Sequence, residues 1–421
     1  MRKFLVSILT ITCGCLISLA ASPMATKFTY SECEGSLMPY PLSIDKAQYP
    51  DSLTPVMINH VGRHGARFPA SAANCSALIK ALNRADSAAT ITKLGLELLS
   101  LANDVANECK GQWGALNSLG EQEQCAIAAR MIKAYPQVFN EKSIRAISSY
   151  SPRAMMSMYA FLHQLDRLNN RIEVTTTSGR KNDKLMRPFD IDPDYLDFRK
   201  EEPYKAAYEA YINETCNTAA IERALGKDFP YSSDEEKQKL ALTEYYVIAG
   251  LSAMGMDCDA SKYFTLEEYN ALWSCFNLRQ YLQRTATTIS AVPADVATDL
   301  LLDIIQTTDD CIDGKSAVTA QLRFVHAETL MPLLSLMRLP GCYYMTNYFD
   351  TVAQHWQDFH VVPMAANLQI VLFKSAKGRY YVRCMLNEEP IAIIPNSDKT
   401  IVSWQEARDF WVRCLPLIAQ P

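Results

Sequence analysis

The sequence predicts an α/β fold, with a mostly parallel sheet flanked by helices and an inserted, mostly helical cap domain. Three short apolar runs typical of strands are each followed by a polar cluster and then by a helical pattern. Between the second and third of these units, residues 191–308 have helical periodicity and weak strand signals. We therefore expect the core to comprise 23–190 and 309–421, and the cap to comprise 191–308.

Composition limits the classes of function. The chain has 421 residues, of which 49% are hydrophobic and 21% charged, enough for a large core and two structural units. The net charge of −5 argues against a nucleic-acid-binding protein. An acidic protein can still bind a small polyphosphorylated molecule where its basic groups converge in one cleft.

The N-terminus has the pattern of a secretory signal peptide over residues 1–22, with Met1-Arg2-Lys3, an apolar run and then small residues. A transmembrane anchor is the weaker interpretation because the run is short and no basic residues follow it. Lipidation at Cys13 or Cys15 is also weaker, because the apolar run continues past both. We expect an exported protein, periplasmic or secreted, without a stable membrane span; association with an outer membrane or vesicles stays open.

Eleven of the 13 cysteines lie beyond this segment. An odd number cannot all pair within one chain, so at least one thiol is free or intermolecular. Their spacing lacks the close C-x-x-C pairs of a metal site. We expect structural disulfides together with buried free cysteines.

The first strand–polar unit carries the richest chemistry. The apolar run Pro55–Ile58 is followed by His60–Pro69, which contains Arg63, His64 and Arg67. A neutral imidazole can attack phosphorus, while arginine forks hold the non-bridging oxygens. The two glycines of this stretch allow close backbone approach. The composition predicts phosphoryl transfer through a histidine.

The other two units add groups of matching chemistry. Strand Ile144–Ile147 precedes a helix that starts at Pro152, and a helix N-terminus favours anions, so Arg153 is placed as a third arginine. After strand Gln321–Val325 comes His326-Ala327-Glu328. His326 can donate a hydrogen bond to a phosphoryl oxygen, and the Glu328 carboxyl can protonate a leaving alkoxide.

These motifs resemble those of the histidine acid phosphatases, branch 2 of the histidine phosphatase superfamily. Arg63–Pro69 is similar to the R-H-G-x-R-x-P signature, and Ser151–Ser157 is similar to the middle arginine motif. His326-Ala327-Glu328 resembles the proton-donor motif of the branch containing multiple inositol polyphosphate phosphatases and phytases, where many acid phosphatases have His-Asp. The resemblance implies His64 as nucleophile, Glu328 as proton donor, no cofactor and no metal. It implies a phosphate-binding set of Arg63, Arg67, Arg153 and His326.

Two charged clusters outside these motifs have less certain roles. Residues 178–187 form the densest basic run, which is either a solvated loop or a site for additional phosphates. Its possible substrate-binding residues are Arg180, Lys181, Lys184 and Arg187. We expect Glu121-Gln122-Glu123 to be a solvated first turn of a helix that starts at Ser118.

The sequence therefore predicts an exported phosphomonoesterase acting on inositol polyphosphates such as phytate through a phosphohistidine. One alternative is a broad-specificity acid or sugar phosphatase. A second alternative, of another class, is a non-catalytic protein that binds phosphorylated ligands. The oligomeric state, the position of first attack on the ring and the disulfide pattern are left open.

Overall fold

The computed structural model describes residues 27–44, 48–140 and 143–420. The predicted signal peptide, 1–22, lies outside the described residues. Eight strands form one sheet with the order β3-β2-β4-β1-β5-β6-β7, and β8 pairs with β6. The strands are β1 Leu53–Arg63, β2 Ser143–Ser148, β3 Glu173–Thr177, β4 Val318–Val325, β5 Asn367–Ser375, β6 Tyr380–Leu386, β7 Glu389–Ile391 and β8 Ile401–Ser403.

The sheet is mixed and mostly parallel, as predicted. Strands β3, β2, β4 and β1 are parallel neighbours. Strand β5 pairs antiparallel with β1, and β6 to β8 continue the antiparallel part. Strand β3 was not predicted, because its sequence EVTTT is polar and largely exposed at the sheet edge.

The first five helices supply one face of the sheet and part of the helical region. They are α1 Ala73–Ser87, α2 Lys93–Glu108, α3 Ser118–Ala134, α4 Pro136–Phe139 and α5 Pro152–Leu168. Apolar residues of α3, α4 and α5 pack against alternate residues of the central strands, such as Ile58, Ala146 and Phe324. This alternation is what a strand's two-residue period requires when both faces are covered.

The segment predicted as a cap is helical. Helix α6 Asp183–Met186 precedes it. The segment itself contains α7 Pro193–Glu201, α8 Lys205–Thr215, α9 Ala219–Leu225, α10 Asp234–Ala249, α11 Leu266–Arg284 and α12 Val292–Asp295, and α13 Thr298–Ile312 extends past its end. Helices α1 and α2 pack with α9 and α10 in one apolar cluster, so this helical region also draws on chain that precedes β2. Helix α13 packs on the sheet against β1 and β4.

The other face of the sheet is covered by α13 and by the C-terminal helices. These are α14 Ala327–Leu336, α15 Val352–His355, α16 Asp358–Val361 and α17 Trp404–Cys414. Val61, Ile147 and Val325 of the strands pack in the apolar cluster that these helices form on this face. Strands β1, β2 and β4 are therefore buried on both sides, which holds their carboxyl ends in fixed positions.

The eleven cysteines of the described part are all free thiols, so the expected disulfides are not formed in this structure. Seven are buried: Cys33, Cys75, Cys109, Cys275, Cys342, Cys384 and Cys414. Buried cysteine behaves as a small hydrophobic residue, so packing accounts for these positions. Among the described residues, no helix combines the length and apolar character needed to cross a bilayer.

Candidate active site

The carboxyl ends of three neighbouring parallel strands meet at one edge of the sheet. Arg63 at the end of β1 lies opposite Val325 at the end of β4, and Ser148 at the end of β2 lies opposite Phe324. The residues that follow each strand therefore leave from the same place. The rings of His64 and His326 lie with their centroids 5.4 Å apart. The structure thus brings the three predicted polar clusters together.

His64 is buried and oriented by the backbone. Its Nδ1 lies 2.9 Å from the carbonyl oxygen of Gly65. Because a carbonyl oxygen only accepts, Nδ1 carries the hydrogen, and the lone pair of the neutral ring is on Nε2. Burial and the nearby cations Arg63, Arg153 and Arg67 hold the pKa of His64 well below its usual range. The ring is therefore neutral in acidic as well as neutral solution, as a nucleophile requires.

Two glycines fix the loop that carries His64. A Cβ on Gly65 would lie 2.4 Å from the carbonyl oxygen of Gly120, and a Cβ on Gly120 would lie 2.2 Å from the carbonyl oxygen of Ala66. Only glycine allows backbones this close. In addition, the Gly65 amide donates to Ser157 Oγ at 3.1 Å, and Ser157 Oγ donates to the Arg153 carbonyl oxygen at 2.8 Å. The loop is thus tied to both α3 and α5.

The acidic cluster at the start of α3 differs from the prediction. Glu123 is fully buried and accepts hydrogen bonds from the amides of Ala66, at 2.6 Å, and Tyr40, at 2.7 Å. Burial raises the pKa of Glu123 to about 7. The prediction of a solvated turn was wrong for this residue, although Glu121 and Gln122 are exposed. Helix α3 starts at Ser118, as predicted, and its N-cap is Asn117, whose side chain accepts from the Gly120 amide.

Three arginines surround His64. Arg63 is 3% exposed, and its Nη1 donates to the carbonyl oxygens of Ser36 and Val362 at 2.6 Å each. Arg67 donates to the Phe68 carbonyl oxygen at 2.8 Å. The Nε atoms of Arg63, Arg67 and Arg153 are buried and have no hydrogen-bond partner within the described part of the chain. Unpaired buried donors are unfavourable, so an anion here would satisfy groups that the protein leaves open.

The arginines stay charged despite burial. Desolvation and neighbouring cations lower the pKa of Arg63 and of Arg153 to about 10. Both guanidinium groups are therefore cationic throughout the neutral and acidic range. Their mutual repulsion favours the binding of a phosphoryl dianion between them.

His326 is fully buried and connects the second and third strand ends. Its Nε2 lies 2.8 Å from Ser149 Oγ and 2.8 Å from Arg187 Nη1, and its Nδ1 lies 3.4 Å from Arg153 Nη2. A guanidinium only donates, and a neutral imidazole accepts at one nitrogen. The shorter contact assigns the acceptor to Nε2, so Nδ1 carries the hydrogen and can donate to a phosphoryl oxygen. Burial and Arg153 hold the pKa of His326 well below its usual range.

Glu328 lies in the first turn of α14, where its carboxylate is 3.5 Å from Arg284 Nη2. Burial alone would raise the pKa of Glu328, but Arg284 and His326 outweigh it and lower the pKa far below the usual range. The carboxyl group is therefore ionised when only these side chains surround it. A bound phosphoryl group would offset the cations and raise that pKa, which is the condition for Glu328 to donate a proton.

Arg284 is the residue of this cluster that the sequence did not reveal. It is the last residue of α11, and its Nη1 also donates to Tyr195 Oη at 3.1 Å. Its distance of 44 residues from Glu328 along the chain, and the absence of any motif around it, left no local signal. Only the packing of α11 against α14 brings the two together.

The predicted basic run divides into residues at the site and residues away from it. Arg187 contacts His326, pairs with Asp190 at 2.6 Å and lies over the rings of Tyr150 and Phe189. Arg180 is exposed and stacks on Tyr150 at 4.2 Å. In contrast, Lys184 pairs with Asp299 on α13 at 3.1 Å, and Lys181 is exposed. Arg187 therefore extends the cluster of cations, whereas the two lysines do not contact it.

The described residues contain no group of three or more His, Cys, Asp or Glu side chains placed to hold a metal ion. The polar groups that converge are two neutral imidazoles, His64 and His326, a set of fixed cations and one carboxylate. Such a set can bind a phosphoryl group, attack it and protonate what leaves.

Comparison with known proteins identifies the family of the chain. A profile of the histidine phosphatase superfamily (branch 2) matches residues 56–387. The chain belongs to that family. The match spans the strand ends that carry His64, Arg153 and Glu328, and the chain is a histidine-type phosphatase.

Similar branch 2 proteins include vertebrate enzymes. Multiple inositol polyphosphate phosphatase 1 of Homo sapiens is 25% identical over 396 residues, which cover 85% of this chain and 79% of that protein. The Gallus gallus protein of the same name is 26% identical over 411 residues, covering 92% and 88%. These similarities extend over nearly the whole length of both chains.

Solved structures of branch 2 phosphatases share the fold. The multiple inositol polyphosphate phosphatase of Bifidobacterium longum, in complex with inositol hexasulfate, superposes with a TM-score of 0.73 at 18% identity, covering 89% of this chain and 96% of that one. The phytase from D. castellii gives a TM-score of 0.70 at 15% identity, with 96% and 90% covered. At these identities the likeness establishes the fold, and the roles of individual residues rest on the geometry above.

Proposed function

We propose that this phosphatase removes phosphate from inositol polyphosphates such as phytate, through a phosphohistidine formed at His64. The observation that carries the proposal is the position of the neutral His64. Its Nε2 carries the lone pair, and the Nε atoms of Arg63, Arg67 and Arg153 beside it have no hydrogen-bond partner among the described residues. Relatives named for inositol polyphosphates support the substrate class. We also propose that the protein is exported by its N-terminal segment, 1–22, to the periplasm or beyond the cell.

In the first step, His64 Nε2 attacks phosphorus. Arg63, Arg67 and Arg153, together with His326 Nδ1–H, bind the non-bridging oxygens and stabilise the charge that develops on them. The bond from phosphorus to the ester oxygen breaks, and its electron pair goes to the leaving alkoxide. The hydrogen bond from Nδ1 to the Gly65 carbonyl oxygen stabilises the positive charge that forms on the phosphorylated ring.

Glu328 supplies the proton that the leaving alkoxide needs. The substrate phosphoryl group brings negative charge beside Arg63 and Arg284, and this raises the depressed pKa of Glu328. Once it has given up its proton, the carboxylate is placed to take a proton from water. That water attacks phosphorus, the nitrogen–phosphorus bond breaks, and inorganic phosphate leaves with His64 and Glu328 restored.

Arg63, Arg67, Arg153 and His326 together form the phosphate cradle. The cations outside this cradle are proposed to bind phosphates that do not react. Arg187 is the first of them because it lies next to His326, and Arg180 follows because both stack on Tyr150. Lys181 and Lys184 are more peripheral members of the same set. The additional phosphates of a polyphosphorylated substrate would bind to Arg187 first, then to Arg180 and last to the two lysines. A monophosphate would bind only to the inner arginines.

The test is phosphate release by the purified protein from phytate and from a small aryl phosphate, each with and without a chelator. We expect chelator-resistant release from both substrates and its loss in His64→Ala. Turnover of the aryl phosphate without release from phytate would keep the chemistry and remove the inositol polyphosphate substrate. Absence of turnover with either substrate would favour the alternative of a phospholigand-binding protein.

A further inference from the structure

A short segment near the start of the described chain lies directly behind the phosphate-binding arginines. The carbonyl oxygen of Ser36 accepts from Arg63 Nη1 at 2.6 Å, and that of Met38 accepts from the Met364 amide at 2.9 Å. The amide of Tyr40 donates to Glu123. Residues 36–40 are therefore attached to the loop that carries His64, although they belong to none of the recognised motifs.

Asp358, the first residue of α16, holds this segment. It is fully buried, and its Oδ2 accepts from the Ser36 amide at 2.8 Å while its Oδ1 accepts from Trp273 Nε1 at 3.0 Å. Its own amide donates to Asn277 Oδ1 at 2.8 Å. A buried carboxylate with hydrogen bonds at both oxygens has one well-defined orientation. Asp358 therefore fixes the position of Ser36.

Gly35, the residue before Ser36, shows how closely this segment packs against Asp358. Gly35 has φ +60°, and a Cβ there would lie 2.8 Å from Asp358 Oδ2. The carboxylate occupies the space that any other side chain at position 35 would need. Burial raises the pKa of Asp358 to about 6, so the group is largely ionised in neutral solution.

Ser36 also connects to the proton donor. Gln280 Nε2 donates to Ser36 Oγ at 3.4 Å, and Gln280 Oε1 accepts from Arg284 Nε at 3.4 Å. Arg284 in turn lies beside Glu328. One serine is thus linked through its carbonyl oxygen to Arg63 and through its hydroxyl to the Arg284–Glu328 pair.

We propose that Asp358 is a positioning residue for phosphoryl transfer, which sets the guanidinium of Arg63 by fixing Ser36. Asp358 does not touch the substrate, and its effect on the reaction passes through Arg63. The proposal rests on the phosphatase chemistry of the proposed function but not on the inositol substrate. A residue that only packs α16 against α11 would affect stability without this dependence on Arg63.

A double-mutant cycle tests the dependence, because residues that act through one another give non-additive effects. Asp358→Asn is measured alone and combined with Arg63→Lys. The lysine keeps a positive charge for residual turnover but lacks the Nη1 atom that donates to the carbonyl oxygens of Ser36 and Val362. The readouts are kcat/KM for a small aryl phosphate and the inhibition constant of inorganic phosphate. We expect Asp358→Asn alone to lower kcat/KM by about tenfold or more and to weaken phosphate inhibition, since small misplacements reduce rates strongly.

In the Arg63→Lys background, the same change should reduce kcat/KM by less than about twofold. Glu244→Gln is the matched control, because Glu244 is also fully buried and its carboxyl oxygens have no hydrogen-bond partner among the described residues. That control should leave kcat/KM and phosphate inhibition unchanged. Equal fold-losses from Asp358→Asn in both backgrounds, or wild-type values in the single variant, would overturn the proposal.

Trp273→Phe provides a second route if Asp358→Asn does not fold. It removes the donor to Oδ1 and leaves the Ser36 contact, so we expect a smaller loss of kcat/KM that again disappears in Arg63→Lys. An equal loss in both backgrounds would count against the proposal. Failure of the phosphatase chemistry itself would be visible separately, because the wild-type protein would then not turn over the aryl phosphate.

Discussion

The inner arginines, which are Arg63, Arg67 and Arg153, and the outer basic run, residues 178–187, are held in opposite ways. Arg63 is 3% exposed and donates to two backbone carbonyl oxygens, so its position does not depend on solvent. The side chains of Arg180 and Lys184 are 74% and 71% exposed. Arg180 pairs with the buried Asp183, and Lys184 pairs with the exposed Asp299. Fixed, desolvated charges stabilise a transition state strongly, whereas exposed charges are screened and contribute little. From this difference we propose that the inner group carries the chemistry and that the outer one contributes, at most, substrate affinity.

Glu328→Ala should give the largest effect that separates these roles. We expect phytate turnover to fall by about a hundredfold to ten-thousandfold, because an alkoxide leaves poorly without a proton. The kcat/KM of an aryl phosphate whose leaving group is a nitrophenolate should fall far less, because kcat/KM reports the phosphorylation step and not the later attack of water. Steady-state kinetics with both substrates measures the difference. Equal losses on the two substrates would show that Glu328 does not act as the proton donor.

The same variant carries a pH signature. Arg284 and His326 lower the pKa of Glu328, so its protonated form becomes more populated as the pH falls. The lowered pKa of His64 keeps the nucleophile neutral over the same range. Wild-type turnover of phytate should therefore rise toward acidic pH, and this rise should be weaker in the variant.

Arg187→Ala should have an intermediate effect. Arg187 donates to His326 and is largely shielded between Tyr150 and Phe189, so its loss removes a charge-assisted hydrogen bond at the edge of the cradle. We expect kcat/KM to fall by about tenfold to a hundredfold, which corresponds to about 1.5–3 kcal/mol. The loss should be larger for phytate than for an aryl phosphate. If kcat/KM fell for neither substrate, Arg187 would not belong to the binding site.

Lys184→Ala is the matched change on the outer side and should have the smallest effect. Its ion pair with Asp299 is exposed, and such pairs are worth about 0–1 kcal/mol. We expect kcat/KM for phytate to change by less than about fivefold, and the change to vanish at high salt. A loss as large as that of Arg187→Ala would show that the outer run is a substrate clamp and would remove the distinction drawn here.

The sequence revealed the inner group because each part of it is local. His64, Arg153 and Glu328 each follow an apolar strand within a few residues, and parallel strands in one sheet place such residues at a common edge. The fold class followed from the same repeated pattern. Local pattern was therefore sufficient for the cradle.

Groups that reach the site only through packing could not be found in this way. Arg284 and Asp358 lie on helices whose residues carry no motif, and Glu123 stands in an acidic cluster that is typical of a solvated helix start. Glu123 bonds to the Ala66 amide, Asp358 to the Ser36 amide and Arg284 to Glu328, and all three contacts arise from tertiary packing, which hydrophobic periodicity does not encode. The polar edge strand β3 was missed for a related reason, since it has no buried face.

The most direct test of the account is to trap and locate the phosphorylated residue. Wild-type protein is mixed with labelled substrate, quenched under alkaline conditions that preserve phosphohistidine, and mapped by peptide mass spectrometry. We predict stoichiometric phosphate on His64, and accumulation of that species in Glu328→Ala turning over the nitrophenyl ester, because hydrolysis by water is then slowed. Turnover without any phosphate on His64, or with phosphate on another residue, would contradict the central claim.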